Sequence, residues 1–376
     1  MKFTASSAEL LKALTAVNGA VPSKSTIPIL ECILFERDGD SLQLSATDLE
    51  ISIIQRLEVP FESNGTLASN RIAVPAKRLL DTLRALPDLP LHFSADDAFH
   101  VTLRTDQGHY KMVGHDGADY PALPVMAGNV RIETEGKLLS RAIQKTSFAV
   151  SKDALRPAMM GIFFEIGEKH ARAVATDGHR LVKLTLTEMT SAAPVEFIVP
   201  EKAMILAGRI ASDTACTITV DEGYVGFDFG SARVLARLID EAYPNYEAVV
   251  PVENDRTLTV NRDAMLAAVK RVGLYSSSMT NQIRLSAQEN SVEVSAEDIE
   301  RSSEARENVL CEYEGAEIVI GFNSVYLTEV LGNIDSEEVS FEFSSPNRAG
   351  VVTPQEQSTG EELMMLIMPV MLNTYA

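Results

Sequence analysis

The chain has 376 residues, 45% of them apolar and 23% charged, and 33 Lys plus Arg against 53 Asp plus Glu leave a net charge of −20. That length and balance predict two or three globular domains with ample core and exclude a disordered chain. The longest apolar run, 363–372, is about half a membrane span, Glu9 and Lys12 interrupt any secretory signal, and the charge argues against a polyanion such as nucleic acid as partner.

In chain order, helical periodicity first appears in Glu9-Leu-Leu-Lys-Ala-Leu-Thr-Ala-Val17, opened by Ser6-x-x-Glu9, which fits a capping box. An alternating strand, Leu42-Gln-Leu-Ser-Ala-Thr-Asp48, runs into a turn. Val74-Pro-Ala-Lys77 starts a second helix, with Pro75 suited to a first helical turn that needs no N–H, and Asp119-Tyr-Pro121 closes the segment. The same landmarks return in order as Lys137-Leu-Leu-Ser-Arg-Ala-Ile143, Ala171-Arg-Ala-Val-Ala-Thr-Asp177, Val199-Pro-Glu-Lys202 and Ala242-Tyr-Pro244. They return once more as Ala264-Met-Leu-Ala-Ala-Val-Lys270, Val292-Glu-Val-Ser-Ala-Glu-Asp298, Gly321-Phe-Asn-Ser324 and, more weakly, Ile367-Met-Pro369. Asn261 and Asn323 are N-caps for the helices they precede. A period of roughly 120–130 residues is too long for a solenoid unit and right for a whole domain. Each repeat carries two helices among short strands such as 195–199 and 339–343, which implies an α+β domain and not a βαβ one. Local proline places the boundaries near Pro124 and Pro251, giving domains 1–125, 126–252 and 253–376. Cys32, Cys216 and Cys311, an odd number without metal-ligand spacing, are expected to be free thiols in a reducing cytoplasm.

The charge divides by element. The six expected helices, 7–19, 75–86, 136–148, 200–211, 261–273 and 323–333, hold twelve basic and five acidic residues, a balance of +7 that leaves −27 for the rest. Lys77 and Arg84 lie two turns apart on one face, Lys202 and Arg209 repeat that spacing, and Lys137, Arg141 and Lys145 form a stripe at four-residue steps. Most such stripes are solvated faces of amphipathic helices. Segregation of sign between all helices and everything else implies more: the helices share one surface, and the acidic strands and loops face elsewhere.

Met1-Lys-Phe-Thr4, Thr26-Ile-Pro-Ile-Leu30, Ala175-Thr-Asp-Gly-His-Arg-Leu181, Tyr243-Pro-x-Tyr246, Ile320-Gly-Phe-Asn323 and Met368-Pro369 resemble, over the whole chain, the β subunits of bacterial DNA polymerase III, the sliding clamps. The resemblance implies three repeated clamp domains, each two helices against antiparallel sheets, in a head-to-tail dimeric ring whose helices line a central hole. Duplex DNA carries about one negative charge per 1.7 Å of axis, and a ring that slides needs weak, sequence-blind attraction to it. On this reading Lys77, Arg78, Arg84, Arg141, Lys145, Lys202, Arg209 and Lys270 face DNA, with Lys24 and Lys152 on loops beside them. The double-stranded DNA is encircled, and the charge expectation above is reversed for the hole alone.

The resemblance also implies a pocket for short linear peptides of the polymerase α subunit, the clamp-loader δ subunit and other partners. Its matching positions are Met159, Thr176, Gly178, His179, Arg180, Leu181, Pro244, Val249, Asn323, Tyr326, Met368 and Pro369, with Leu181 and Val249 also serving as core. Such a set suits an apolar anchor site with a few polar orienters, and methionine lets it repack around different partners. Ala248 stands where the family often has arginine, and Met368-Pro-Val-Met371, then Leu372 and Asn373 to Ala376, replaces its usual Met-Pro-Met-Arg ending. Both changes remove positive charge near the pocket, as in a divergent or second copy with altered partner affinity. Subunit contacts are expected from His109 and Tyr110 on one side and Leu274 and Tyr275 on the other, with Lys111, Glu300 and Glu304 nearby.

Two other readings compete. Asp177-x-His179 with His170 falls short of the three ligands a catalytic zinc needs. No P-loop, dinucleotide turn or Gly-x-Ser-x-Gly elbow occurs. An enzyme, a metal site and a cofactor are therefore not expected. An acidic three-repeat protein-binding scaffold that ignores DNA is the remaining alternative.

Overall fold

Amphipathic periodicity and well-placed caps put the six helices within two residues of their expected bounds: α1 (Ser7–Asn18), α2 (Ala76–Ala85), α3 (Gly136–Thr146), α4 (Glu201–Ile210), α5 (Arg262–Gly273) and α6 (Ser324–Gly332). The computed structural model describes residues 1–62, 70–211 and 214–372. Asn261 accepts from the Ala264 N–H at 3.0 Å, and Asn323 from Val325 and Tyr326 at 2.9 and 3.3 Å. Ser6 caps α1 as expected: its hydroxyl accepts from the Ala8 and Glu9 N–H groups at 3.2 Å each and donates to Asp88, supplied by tertiary structure, at 2.7 Å. Pro75 and Pro200 end strands one residue before their helices, because proline's φ fits the extended approach as well as the first turn.

The molecule divides into two compact units, one of 1–140 with 202–238 and one of 141–201 with 239 onward. In the first unit, strands Lys2–Ser6, Pro90–Ala95, His100–Arg104 and His109–Val113 form a four-stranded sheet in that order. A nine-stranded sheet runs Val130–Glu135, Ala215–Asp221, Tyr224–Asp228, Ala232–Arg237, Ile51–Glu58, Ser41–Thr47, Cys32–Asp38, Arg71–Pro75 and His115–Asp116. In the second unit a twelve-stranded sheet runs Val195–Pro200, Gly161–Ile166, Ala171–Thr176, Arg180–Leu186, Glu361–Ile367, Gly350–Pro354, Glu338–Phe343, Arg256–Asn261, Ser303–Glu314, Ser291–Asp298, Gln282–Gln288 and Ile318–Asn323. Neighbours throughout are antiparallel, as α+β repeats built from hairpins require.

The sheets show how one repeat is joined to the next. Strand Ile51–Glu58 pairs along its outer edge with Ala232–Arg237, Ile51 opposite Ala236. Strand Arg180–Leu186, its counterpart one repeat later, pairs with Glu361–Ile367, Arg180 opposite Ile367. The third counterpart is Ser303–Glu314, which pairs over 303–310 only with Ser291–Asp298 among the described residues. His109–Val113, the first repeat's equivalent of Ala232–Arg237 and Glu361–Ile367, likewise pairs on one side only among the described residues, with His100–Arg104. One donor edge and one acceptor edge of the repeat are thus left open.

Alternating burial along these strands packs the core. Phe93 stacks on Phe3 and Phe35 with centroids 4.7 and 5.1 Å apart in the first unit. In the second unit the apolar C-terminal run seen in the sequence becomes the inner strand Glu361–Ile367, with Leu363 through Ile367 buried. The three cysteines are free, and burial pushes the Cys32 thiol up to about 11 and Cys216 up to about 12. Among the described residues no helix is long and apolar enough to cross a membrane.

Candidate functional site

Thr176 to Arg180 is a side-chain-organised turn between two buried strands. The Thr176 hydroxyl donates to the Arg180 carbonyl at 2.7 Å and accepts from the Gly178 N–H at 3.1 Å. Asp177 accepts from the N–H groups of His179 and Arg180 at 2.9 and 3.0 Å. Gly178 has φ of +87°, a left-handed conformation, and a Cβ there would sit 2.7 Å from the Arg156 guanidinium. The turn therefore presents its backbone and the exposed His179 ring outward.

Behind it lies an apolar floor. Phe163, Val174, Leu181, Ile198, Tyr246, Val351, Met364 and Leu366 form one buried cluster, with Ala158, Tyr243 and Val250 packed against it. Tyr243 stacks on Phe163 at 4.6 Å, and burial pushes its phenol well above the ordinary value. Met159, Pro244 and Pro369 are half-buried around this floor's chain segments, while Val249 and Met368 stand 52% and 41% exposed. Leu181 is core, as expected, but Val249 is not.

Arg180, one of the positions grouped with the pocket, is held inside the fold. Its side chain is 7% exposed, with the guanidinium bonded to Asp177 at 3.2 Å, to the Phe148 carbonyl at 2.6 Å and to Glu329. Its planar faces meet the Phe148 and Tyr326 rings at 5.1 and 4.8 Å, and Tyr326 in turn stacks on His179 at 5.6 Å. Arg180 is a brace behind His179 and Tyr326. Asn323 is also committed internally, its oxygen as the α6 cap and its amide NH₂ to Thr280 at 3.2 Å. Phe148 and Glu329 were not singled out from the sequence, since they lie 32 and 149 residues from the arginine they hold.

The chain end crosses this site. The Met368 N–H donates to the His179 carbonyl and the Val370 N–H to the Gly321 carbonyl, each at 2.8 Å. Asn373 to Ala376, part of the atypical ending, lie outside the described residues.

The ten basic candidates separate into three groups. Lys145 is 5% exposed and spends its ammonium on the Asn333 carbonyl at 2.5 Å and Asp335 at 2.9 Å; burial lowers its pKa, offset in part by Asp335. Arg141 is 25% exposed and clamped by Glu361 and Asp335. The four-residue stripe thus turns inward at these two, against the expectation, because two carboxylates nearly 200 residues on or more provide better partners than water. Lys77 and Arg84 share Asp81 at 3.2 Å each, Lys152 pairs with Glu201 and Lys202 with Asp48, all with the cation at least half exposed. Lys24, Arg78, Arg209 and Lys270 are exposed, with no carboxylate in ion-pairing distance among the described residues.

His109 and Tyr110 lie exposed on the open-edged strand His109–Val113. Tyr110, Met112 and Val113 line an open groove of about 850 Å³ with Lys77, Arg78 and Leu86 of the α2 region. Leu274 and Tyr275, just past α5, are 82% and 46% exposed. Among the described residues no cluster of three His, Cys, Asp or Glu side chains could hold a metal.

Known proteins place this arrangement in a family. Models of the N-terminal, central and C-terminal domains of the DNA polymerase III β subunit match residues 1–124, 133–245 and 247–370. The beta sliding clamp of Caulobacter vibrioides is 33% identical over 97% of this chain and 100% of its own length. The solved Pseudomonas aeruginosa clamp bound to griselimycin is 28% identical, covers 99% of this chain and 100% of its own, and superposes with a TM-score of 0.92. The Bartonella birtlesii clamp bound to griselimycin is 27% identical with the same coverage and a TM-score of 0.91. The chain belongs to the DNA polymerase III β-subunit family, the sliding clamps.

Proposed function

We propose that this chain is a non-catalytic processivity factor: two copies join head to tail around duplex DNA and tether the replicative polymerase. The observation that carries the ring is the pair of open sheet edges. An unpaired edge is a liability unless something covers it, and two complementary ones on a repeat call for a second copy. Pairing by analogy with the internal joints sets Met112 opposite Ser303 and His109 opposite Arg306 of the second copy. Helix ends support the same joint. Gly19, after α1, lies so close to Leu206 of α4 that a Cβ would be 2.2 Å from it. Leu274 holds Gly19's place after α5, and the α2 groove holds that of Leu206. The three domains are taken as 1–125, 126–252 and 253–376.

The free cations Lys24, Arg78, Arg209 and Lys270 give the hole its standing attraction for phosphate. Lys77, Arg84, Lys152 and Lys202 add to it, since exposed ion pairs are worth about 0–1 kcal/mol and exchange readily. Arg141 and Lys145 do not. The turn at Gly178–His179 with its apolar floor and Met368 takes short peptides of the polymerase α subunit, the loader δ subunit and other partners, and griselimycin binds there. The cytoplasm is the compartment of such a partner set. Loading onto nicked circular DNA with a clamp loader, followed by linearisation, tests the reading. A topological clamp stays on the circle and is lost from free ends, whereas equal retention on both refutes it.

A further inference from the structure

The C-terminal segment after strand Glu361–Ile367 is a strap with two clips. Its first clip is the Met368 N–H on the His179 carbonyl, at the presenting turn. Its second is the Val370 N–H on the Gly321 carbonyl, on strand Ile318–Asn323. That strand is the last in its sheet, paired among the described strands only with Gln282–Gln288, so its outer edge is free to receive the strap. Gly321 makes the second clip possible. A Cβ at 321 would lie 2.5 Å from the Val370 carbonyl oxygen and 2.7 Å from Leu372 Cδ2. The first of these is backbone, which cannot swing away, so any larger residue must lift the strap. Pro369 stands between the clips and has no N–H of its own to spend.

We propose that Gly321 and the strap 370–372 are positioning elements of the peptide site: by holding the chain end on the sheet edge, they fix Met368 and the His179 carbonyl in the geometry that a ligand meets. Neither Gly321 nor Leu372 touches the ligand in this account. With the strap lifted, Met368 loses its restraint on one side and must be re-ordered on each binding event. This inference rests on the reading of the site as a peptide pocket and adds what holds it in place.

The test uses the full chain, Gly321→Ala, a chain ending at Pro369, and the two changes combined. Griselimycin affinity is read by calorimetry, and release of the strap by hydrogen exchange of the peptide covering 368–372. Gly321→Ala is expected to speed exchange there and weaken griselimycin roughly two- to tenfold, the effect of removing one hydrogen bond. The chain ending at Pro369 should weaken it to the same extent, and the combination no further. That lack of additivity is what a general destabilisation would not produce. The inference is overturned if the strap is released without a change in affinity, if Gly321→Ala leaves the strap in place, or if Gly321→Ala weakens binding equally in the shortened chain. If the unaltered chain does not bind griselimycin, the pocket reading fails first and this inference with it, while the exchange data still report the strap.

Discussion

Leu274→Ala is the sharpest probe of the proposed joint. In the single chain Leu274 is 82% exposed, so nearly all of its apolar surface is available to be buried by a second copy. The groove offered to it is lined by Leu86, Met112, Val113 and the aliphatic stems of Lys77 and Arg78. Removing three carbons at about 0.8 kcal/mol each costs about 2.4 kcal/mol per joint, and a closed ring has two joints, so about 5 kcal/mol in all. At about 1.4 kcal/mol per decade, the dimer dissociation constant should rise roughly three thousandfold. With only half the side chain covered, the rise is still roughly fiftyfold. Sedimentation velocity from nanomolar to micromolar protein reads it directly, with far-UV circular dichroism as a folding control. A dimer constant within threefold of the parent would mean that Leu274 is not in the joint, and the equivalence with Gly19 and Leu206 would fall.

Charge changes should separate the two classes of helix cation. Arg209→Ala and Lys270→Ala are each expected to lower the slope of log affinity for DNA against log salt by about 0.9 for each phosphate no longer neutralised. Lys145→Met should leave that slope unchanged and lower the melting temperature, since Lys145 serves Asn333 and Asp335. Gly178→Ala should weaken griselimycin more than Gly39→Ala does. Both glycines have positive φ and share a backbone cost of about 1 kcal/mol, but only Gly178 has a guanidinium in the way. Asp221 supplies a pH-dependent prediction. Backbone N–H bonds, that of Asn129 foremost and then Gly128 and Ala127, hold its carboxyl below the ordinary aspartate value of 3.8. A lowered folded pKa adds stability that is present above the unfolded value and lost as pH falls through the folded one. Amide protection at 127–129 should therefore be steady above about pH 4, decline below it, and be reduced at every pH by Asp221→Ala. Protection that falls instead between about pH 6 and 7, well above the carboxylate range, would contradict this.

What the sequence alone determined is what depends on near neighbours. Helix starts at Asn261 and Asn323, the strand-turn before Asp48 and Asp177, the threefold period and the sorting of positive charge onto helices are all set within a few residues. They were therefore legible as pattern. Tertiary structure alone decided which polar groups remain free to act. Lys137, Arg141 and Lys145 make a regular stripe in sequence, yet Asp335 and Glu361 draw two of them inward. Arg180 reads as a binding group beside His179, yet Phe148 and Glu329 make it a brace. Gly321 reads as an ordinary strand glycine until the chain end is found lying across it. Periodicity says which face a side chain occupies, but a charge is spent or available according to partners that only folding brings within hydrogen-bonding range.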